Sequence, residues 1–304
     1  MENNQTPSNT DPHPGLLSFF LLLILAALLG ALLGSGLALG IGFGLGLTVP
    51  EMTAPPSNTP VIRTFLRLSN LFSHLFTFTV PALVLTALFY RKGTWSFLRL
   101  DQLPSGRFLT LGVVWVILSF PFAQLVYWIN RQLPLPEHLL AMEDSVTRLL
   151  EILLHMDGPS ELLLNMLVVG VVPAIGEELI FRGLLQRRLQ DRLPGHLAVW
   201  ITAIVFSAIH FQFAGFFPRL LLGGLLGYLF LWSHNLWVPI AAHFFFNAAQ
   251  VVAQYLYGDT LKALDTKGPD EPYWLSGSLS LLLLLALGRY LATQRKKPEA
   301  GANP

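Results

Sequence analysis

Pro173-Ala174-Ile175-Gly176-Glu177-Glu178-Leu179-Ile180-Phe181-Arg182 is the stretch on which the reading of this chain turns. It lies within an apolar run from Leu162 to Leu185, long enough at roughly 20 residues per crossing to span a bilayer. Two adjacent carboxylates and a guanidinium are costly there. Each costs at least ~2.5 kcal/mol at a bilayer centre, so ionisable groups at that depth are read as a functional site whose partners must be found. Glu178 and Arg182 are four residues apart and share a helical face. Glu177 lies about 100° round the helix and finds no partner in its own segment.

The composition puts that run in context. Hydrophobic residues make up 53% of the 304 and charged residues only 12%, well under the roughly 25% charge of a soluble domain. The expected fold class is all-α, a polytopic transmembrane helical bundle. The net charge of +1 is neutral on nucleic acid, but no basic tract is interleaved with aromatics, so a nucleic-acid partner is set aside. The chain has no cysteine, which removes disulfides, thiolate ligands and cysteine nucleophiles. Met1 to Pro14 carry Glu2 and Asp11 but no Lys or Arg. The segment therefore lacks the basic region of a cleavable signal, and the first apolar run is expected to be retained.

Apolar runs between polar or Pro/Gly-marked breaks predict about eight spans, near 15–47, 68–90, 108–130, 161–189, 197–212, 218–233, 237–256 and 273–292. Pro81, Pro121 and Pro173 fall inside spans, where neighbouring helices can satisfy the freed carbonyls. Eleven Lys and Arg fall in the connections that would be cytoplasmic if the N-terminus is inside, against seven on the other side. That bias predicts both termini in the cytoplasm. Residues 143–156, with Leu149, Ile152, Leu153 and Met156 on one face, predict one amphipathic surface helix. The expected organisation is a disordered tail over 1–14, N-terminal spans and the surface helix over 15–160, a core over 161–256, a loop and last span over 257–292, and a disordered tail over 293–304.

Partners for Glu177 come from two later spans. A hairpin turning near Pro194-Gly195 brings His210, from Phe206-Ser207-Ala208-Ile209-His210, to the depth of Glu177 at ~1.5 Å per residue. His243-Phe244-Phe245-Phe246-Asn247 sets His243 and Asn247 on one face. Counting from the loop at Ser233 to Leu236 puts His243 nearer the cytoplasm than Glu177. Either that loop dips into the protein or the site is tall.

Glu177-Glu178-Leu179-Ile180-Phe181-Arg182 matches an EExxxR motif, Phe206 to His210 an FxxxH motif and His243 to Asn247 an HxxxN motif. In this order and spacing they resemble the CPBP family of intramembrane proteases, of CAAX prenyl endopeptidase, bacteriocin-processing (Abi) and lysostaphin-resistance-like type, over about residues 160–256. The resemblance implies a CPBP-like core over 161–256 and an endopeptidase acting on a hydrophobic peptide or membrane-associated protein. Glu177 and His210 would activate water, and His243 and Asn247 would face the oxyanion, with Glu178 and Arg182 in support. A carboxylate base and imidazole and amide donors suit those roles. Glu177, His210 and His243 would equally serve as the two-His, one-carboxylate set of a catalytic divalent ion such as zinc, and the resemblance leaves metal dependence open.

Blander readings stand beside these. Glu178 and Arg182 suit a structural ion pair, Asn165 a bond between helices, and Gly223, Gly224 and Gly227 either close packing or room for a substrate chain. His155, His196 and His234 are expected to be solvated. The alternative function is a non-catalytic membrane factor, in peptide resistance, immunity or as a scaffold. Compact loops point to a bacterial inner membrane.

Overall fold

The structure, a computed structural model, describes residues 14–53, 57–267 and 274–295. Both expected tails lie almost wholly outside the described residues. Among these, every regular element is helical. In chain order the main helices are α1 Leu16–Gly44, α2 Pro60–His74, α3 Val80–Tyr90, α4 Gly106–Ile117, α5 Phe120–Asn130, α6 Glu137–Leu153, α7 Pro159–Asn165, α8 Val172–Glu178, α9 Gly195–Ala208, α10 Phe216–Ser233, α11 Trp237–Lys267 and α12 Trp274–Thr293.

Local chemistry sets the boundaries. Thr59 caps α2 by accepting from the Ile62 amide, with Pro60 in the first turn. Ser105 does the same for α4 through Phe108. Each of the three prolines within spans follows a departure from α geometry. Pro81 follows a π-helical turn, Leu75–Thr79, and Pro173 another, Met166–Val171. Pro121 follows the break between α4 and α5. A proline gives no N–H and its ring collides with the carbonyl four residues back, so the preceding turn must loosen or stop.

All eight predicted apolar runs are helical, but six continuous stretches are long and apolar enough to cross a membrane: Leu16–Gly44, Pro60–Phe97, Gly106–Asn130, Pro159–Gln190, Phe216–Ser233 and Trp274–Thr293. α9, with 14 residues, reaches only about 21 Å at 1.5 Å per residue, less than the ~30 Å of a hydrocarbon core. α11 bends at Tyr257 and runs on to Lys267, where a loop was expected. This is a multi-pass membrane protein. α1 turns Leu21, Leu28 and Leu32 outward as a lipid-type face. In the span Pro159–Gln190, 61% of the apolar window is buried against 17% in α1, so the carboxylates ride on the innermost helix.

Two boundaries differ from expectation. The second span starts at Pro60, so Arg63 and Arg67, counted above as loop charges, lie inside α2 at 4% and 1% exposure. Arg67 Nη1 meets Glu161 Oε1 at 2.9 Å, and its Nε donates to Asn165 Oδ1 at 2.9 Å. Arg63 pairs with Asp157 and with Glu161 at 3.3 Å. Buried guanidiniums need such partners, and neither residue is a topological signal. The surface helix is α6, beginning at Glu137 behind Pro136 and ending at Leu153. Leu140, Met142, Leu149 and Leu150 are exposed along it, while Leu153 anchors its end.

Candidate active site

Gly176 sets where the site is built. A Cβ there would meet Thr79 Oγ1 at 2.7 Å, Phe78 Cβ at 3.1 Å and His74 Nδ1 at 3.4 Å, so only glycine lets the end of α2 and its π turn lie directly against α8. The neighbouring Glu177, 7% exposed, then faces α2. Its Oε1 accepts from His74 Nε2 at 2.9 Å. Its Oε2 lies 3.9 Å from His243 Nε2 on α11.

Glu178 turns the other way. Its Oε1 accepts from Arg182 Nη1 at 2.6 Å and from His243 Nδ1 at 2.9 Å, and both Glu178 and Arg182 are fully buried. A carboxylate has no proton to give, so His243 carries its hydrogen on Nδ1 and, when neutral, presents a lone pair on Nε2 toward Glu177. Arg182 continues outward. Its Nη2 donates to Gly223 O at 2.8 Å, and one turn on, Gln186 Nε2 donates to Gly227 O at 2.9 Å. Those carbonyls are reachable because α10 is bare at these positions: a Cβ on Gly227 would meet Val199 Cγ1 at 2.9 Å and Gln186 Oε1 at 3.0 Å. The glycines serve close packing.

His210 ends α9. Its Nδ1 donates to Phe206 O at 2.8 Å, which leaves an Nε2 lone pair. It lies within reach of the Glu177 charge but makes no hydrogen bond to it. Phe206 joins the group: its ring is edge-on to both His210, 5.2 Å between centroids, and His243, 6.0 Å, and it carries the Arg182 guanidinium 4.9 Å from its centre. Asn247 Nδ2 donates to Val169 O at 3.0 Å. That carbonyl is the one Pro173 cannot serve, so the amide that the motif supplies also closes a gap in the motif-bearing helix.

Counting along the chain misplaced His243, and the reason lies in the loop. Asn235 is 3% exposed and Leu236 fully buried. Leu236 N donates to Arg99 O at 3.1 Å and Asn235 Nδ2 to Gln102 O at 2.7 Å. The loop dips into the protein beneath residues 99–102, and α11 starts from inside. His74 was missed altogether. Nothing in its spacing ties it to Glu177, 103 residues away, yet it is an imidazole in an apolar run, the signal that singled out Glu177.

Among the described residues no three His, Asp or Glu are gathered so as to hold a metal. His155 bonds Asp157 and His196 bonds Tyr228, both at the surface.

Fold and centre together define a polytopic membrane protein built round a buried carboxylate with imidazoles from separate helices. Residues 159–249 match the family model described as Type II CAAX prenyl endopeptidase Rce1-like, the segment in which the three motifs stand. Over 88 residues the chain is 31% identical to a protein of Bacillus subtilis (strain 168) that bears the name "Uncharacterized protein YpbD". The aligned stretch is 28% of this chain and 42% of that protein, less than half its length. No solved structure matches the chain.

Proposed function

We propose that the protein is an intramembrane endopeptidase that hydrolyses a peptide bond in a hydrophobic or membrane-associated substrate. The observation that carries this reading is the meeting of Glu177 Oε2 and His243 Nε2, 3.9 Å apart and both buried, inside the segment that matches a peptidase family. A water set beside that gap reaches both atoms at ~2.8 Å, the ordinary hydrogen-bond length. Glu177 takes one of its protons as the oxygen attacks the substrate carbonyl carbon, and His243 Nε2 holds the other. The proton on Glu177 then goes to the leaving amine as the C–N bond breaks.

His210 Nε2 is the second free lone pair near the carboxylate and lines the same space. Asn247 retains one N–H beyond its bond to Val169 and supplies an oxyanion donor. Glu178 orients His243 through its Nδ1–H, while Arg182 compensates Glu178. The divalent-ion alternative stays a proposal of its own, and no step here is routed through a metal. A bacterial inner membrane with both termini cytoplasmic is part of the same proposal.

The test uses the purified full chain in liposomes with an internally quenched CAAX peptide, prenylated and unprenylated. Wild type cleaves at least one of the two. Glu177→Ala and His243→Ala lose on the order of 10²–10⁴-fold in rate with melting temperature retained. Turnover by Glu177→Ala, or a membrane phenotype fully complemented by it, sinks the peptidase reading in favour of a non-catalytic membrane factor.

A further inference from the structure

We infer that His74 is a positioning residue for the reaction, the device that fixes which oxygen of Glu177 faces the reacting water. The inference rests on the peptidase reading above and adds to it a residue from outside both the three motifs and the 159–249 match. Its first ground is the bond itself. His74 Nε2 donates to Glu177 Oε1 at 2.9 Å, and the opposite oxygen, Oε2, is the one that looks toward His243. A free glutamate side chain rotates about its last torsion with little barrier, so an unanchored carboxylate would present either oxygen, or neither, to the water.

The second ground is how firmly the ring is held. His74 stacks on Phe78, with centroids 4.5 Å apart and planes 26° apart. That partner is four residues on, within the π-helical turn Leu75–Thr79, and single π turns inside α-helices mark functional sites more often than chance. Gly176 supplies the space: a Cβ there would crowd Thr79 Oγ1 at 2.7 Å and Phe78 Cβ at 3.1 Å, on the turn that carries the stacked ring.

A third ground separates this role from plain helix-to-helix adhesion. His74 Nδ1 is buried without a hydrogen-bond partner, and so is Thr79 Oγ1 across Gly176. An unsatisfied buried polar atom costs ~1–3 kcal/mol, and adhesion alone would be better served by a residue with no second nitrogen to hide. The imidazole carries that penalty and delivers one directed donor to one carboxylate oxygen. His74 does not touch the water or the substrate and acts through Glu177.

The test compares His74→Ala and His74→Gln with wild type on whichever quenched peptide the wild type cleaves, with Glu177→Ala run alongside. The glutamine amide nitrogen reaches about as far as Nε2 and donates in the same direction. His74→Ala is expected to lower kcat about 10²-fold, the cost of a ~1 Å misplacement, with KM unchanged, and His74→Gln to regain most of the loss. Wild-type kcat in His74→Ala overturns the inference, as does glutamine that fails to rescue a folded protein. If both variants melt early and lose activity in step, His74 is structural and the inference is likewise overturned. Each of these outcomes is read against an inactive Glu177→Ala. An active Glu177→Ala instead removes the peptidase reading itself.

Discussion

His243 and Arg182 meet on a single oxygen, Glu178 Oε1, at 2.9 and 2.6 Å. The second carboxylate of the motif is thus shared between an ion pair along its own helix and the imidazole of another. The two duties separate by substitution. Glu178→Ala strands a fully buried guanidinium and should cost ~3–5 kcal/mol, seen as a lower melting temperature. Glu178→Gln keeps an oxygen for His243 but not the charge. It should stay folded with kcat reduced by about 10²-fold. Unchanged kcat in Glu178→Gln would show that the charge on that oxygen contributes nothing to turnover.

Asn247 and Pro173 should be energetically coupled. Asn247→Ala takes from Val169 O the donor that stands in for the missing proline N–H, at a cost of ~1 kcal/mol. In a Pro173→Ala background the helix supplies its own N–H, and Asn247→Ala should cost markedly less. Melting temperatures of the four proteins in the cycle measure the difference. Additive effects would mean that the amide does not compensate for the proline.

Gly227→Ala separates packing from substrate room. The added carbon would lie 2.9 Å from Val199 Cγ1 and 3.0 Å from Gln186 Oε1, and overpacking of that kind costs ~1–3 kcal/mol. The melting temperature should fall while KM holds. A raised KM at constant melting temperature would instead place a substrate chain against that glycine.

Divalent ions are addressed by chelation. Among the described residues no three His, Asp or Glu are gathered to hold an ion, and the proposed hydrolysis uses side chains alone, so turnover of the purified protein should survive a strong chelator. Activity lost on chelation and restored by zinc would assign the ion to Glu177, His210 and His243 and displace the side-chain-only route.

Much of this centre is legible along the chain because intramembrane charge is rare enough to stand out. Glu177, Glu178 and Arg182 declare themselves by cost alone, and the 178–182 pair by helical spacing. Apolar runs likewise mark a helix at each of the eight places, α9 among the shortest. What stays hidden depends on contacts without a spacing signature. The bond from His74 joins helices 103 residues apart, and the Asn235 loop is buried by residues 99–102, which nothing local announces. Arg63 and Arg67 were taken for loop charges because their compensating acids, Asp157 and Glu161, lie more than ninety residues on. Periodicity reports a helix's own face and says nothing of what is pressed against it.

The buried turn between α10 and α11 hangs from the backbone of Arg99 and Gln102, so the helix bearing His243 is moored by a part of the chain ahead of the recognisable third. Grafting residues 159–249 into an unrelated membrane host would carry over the motif letters while cutting that mooring. The match over 159–249 marks where the three motifs stand, but the helix that carries His243 is set in place by contacts outside it.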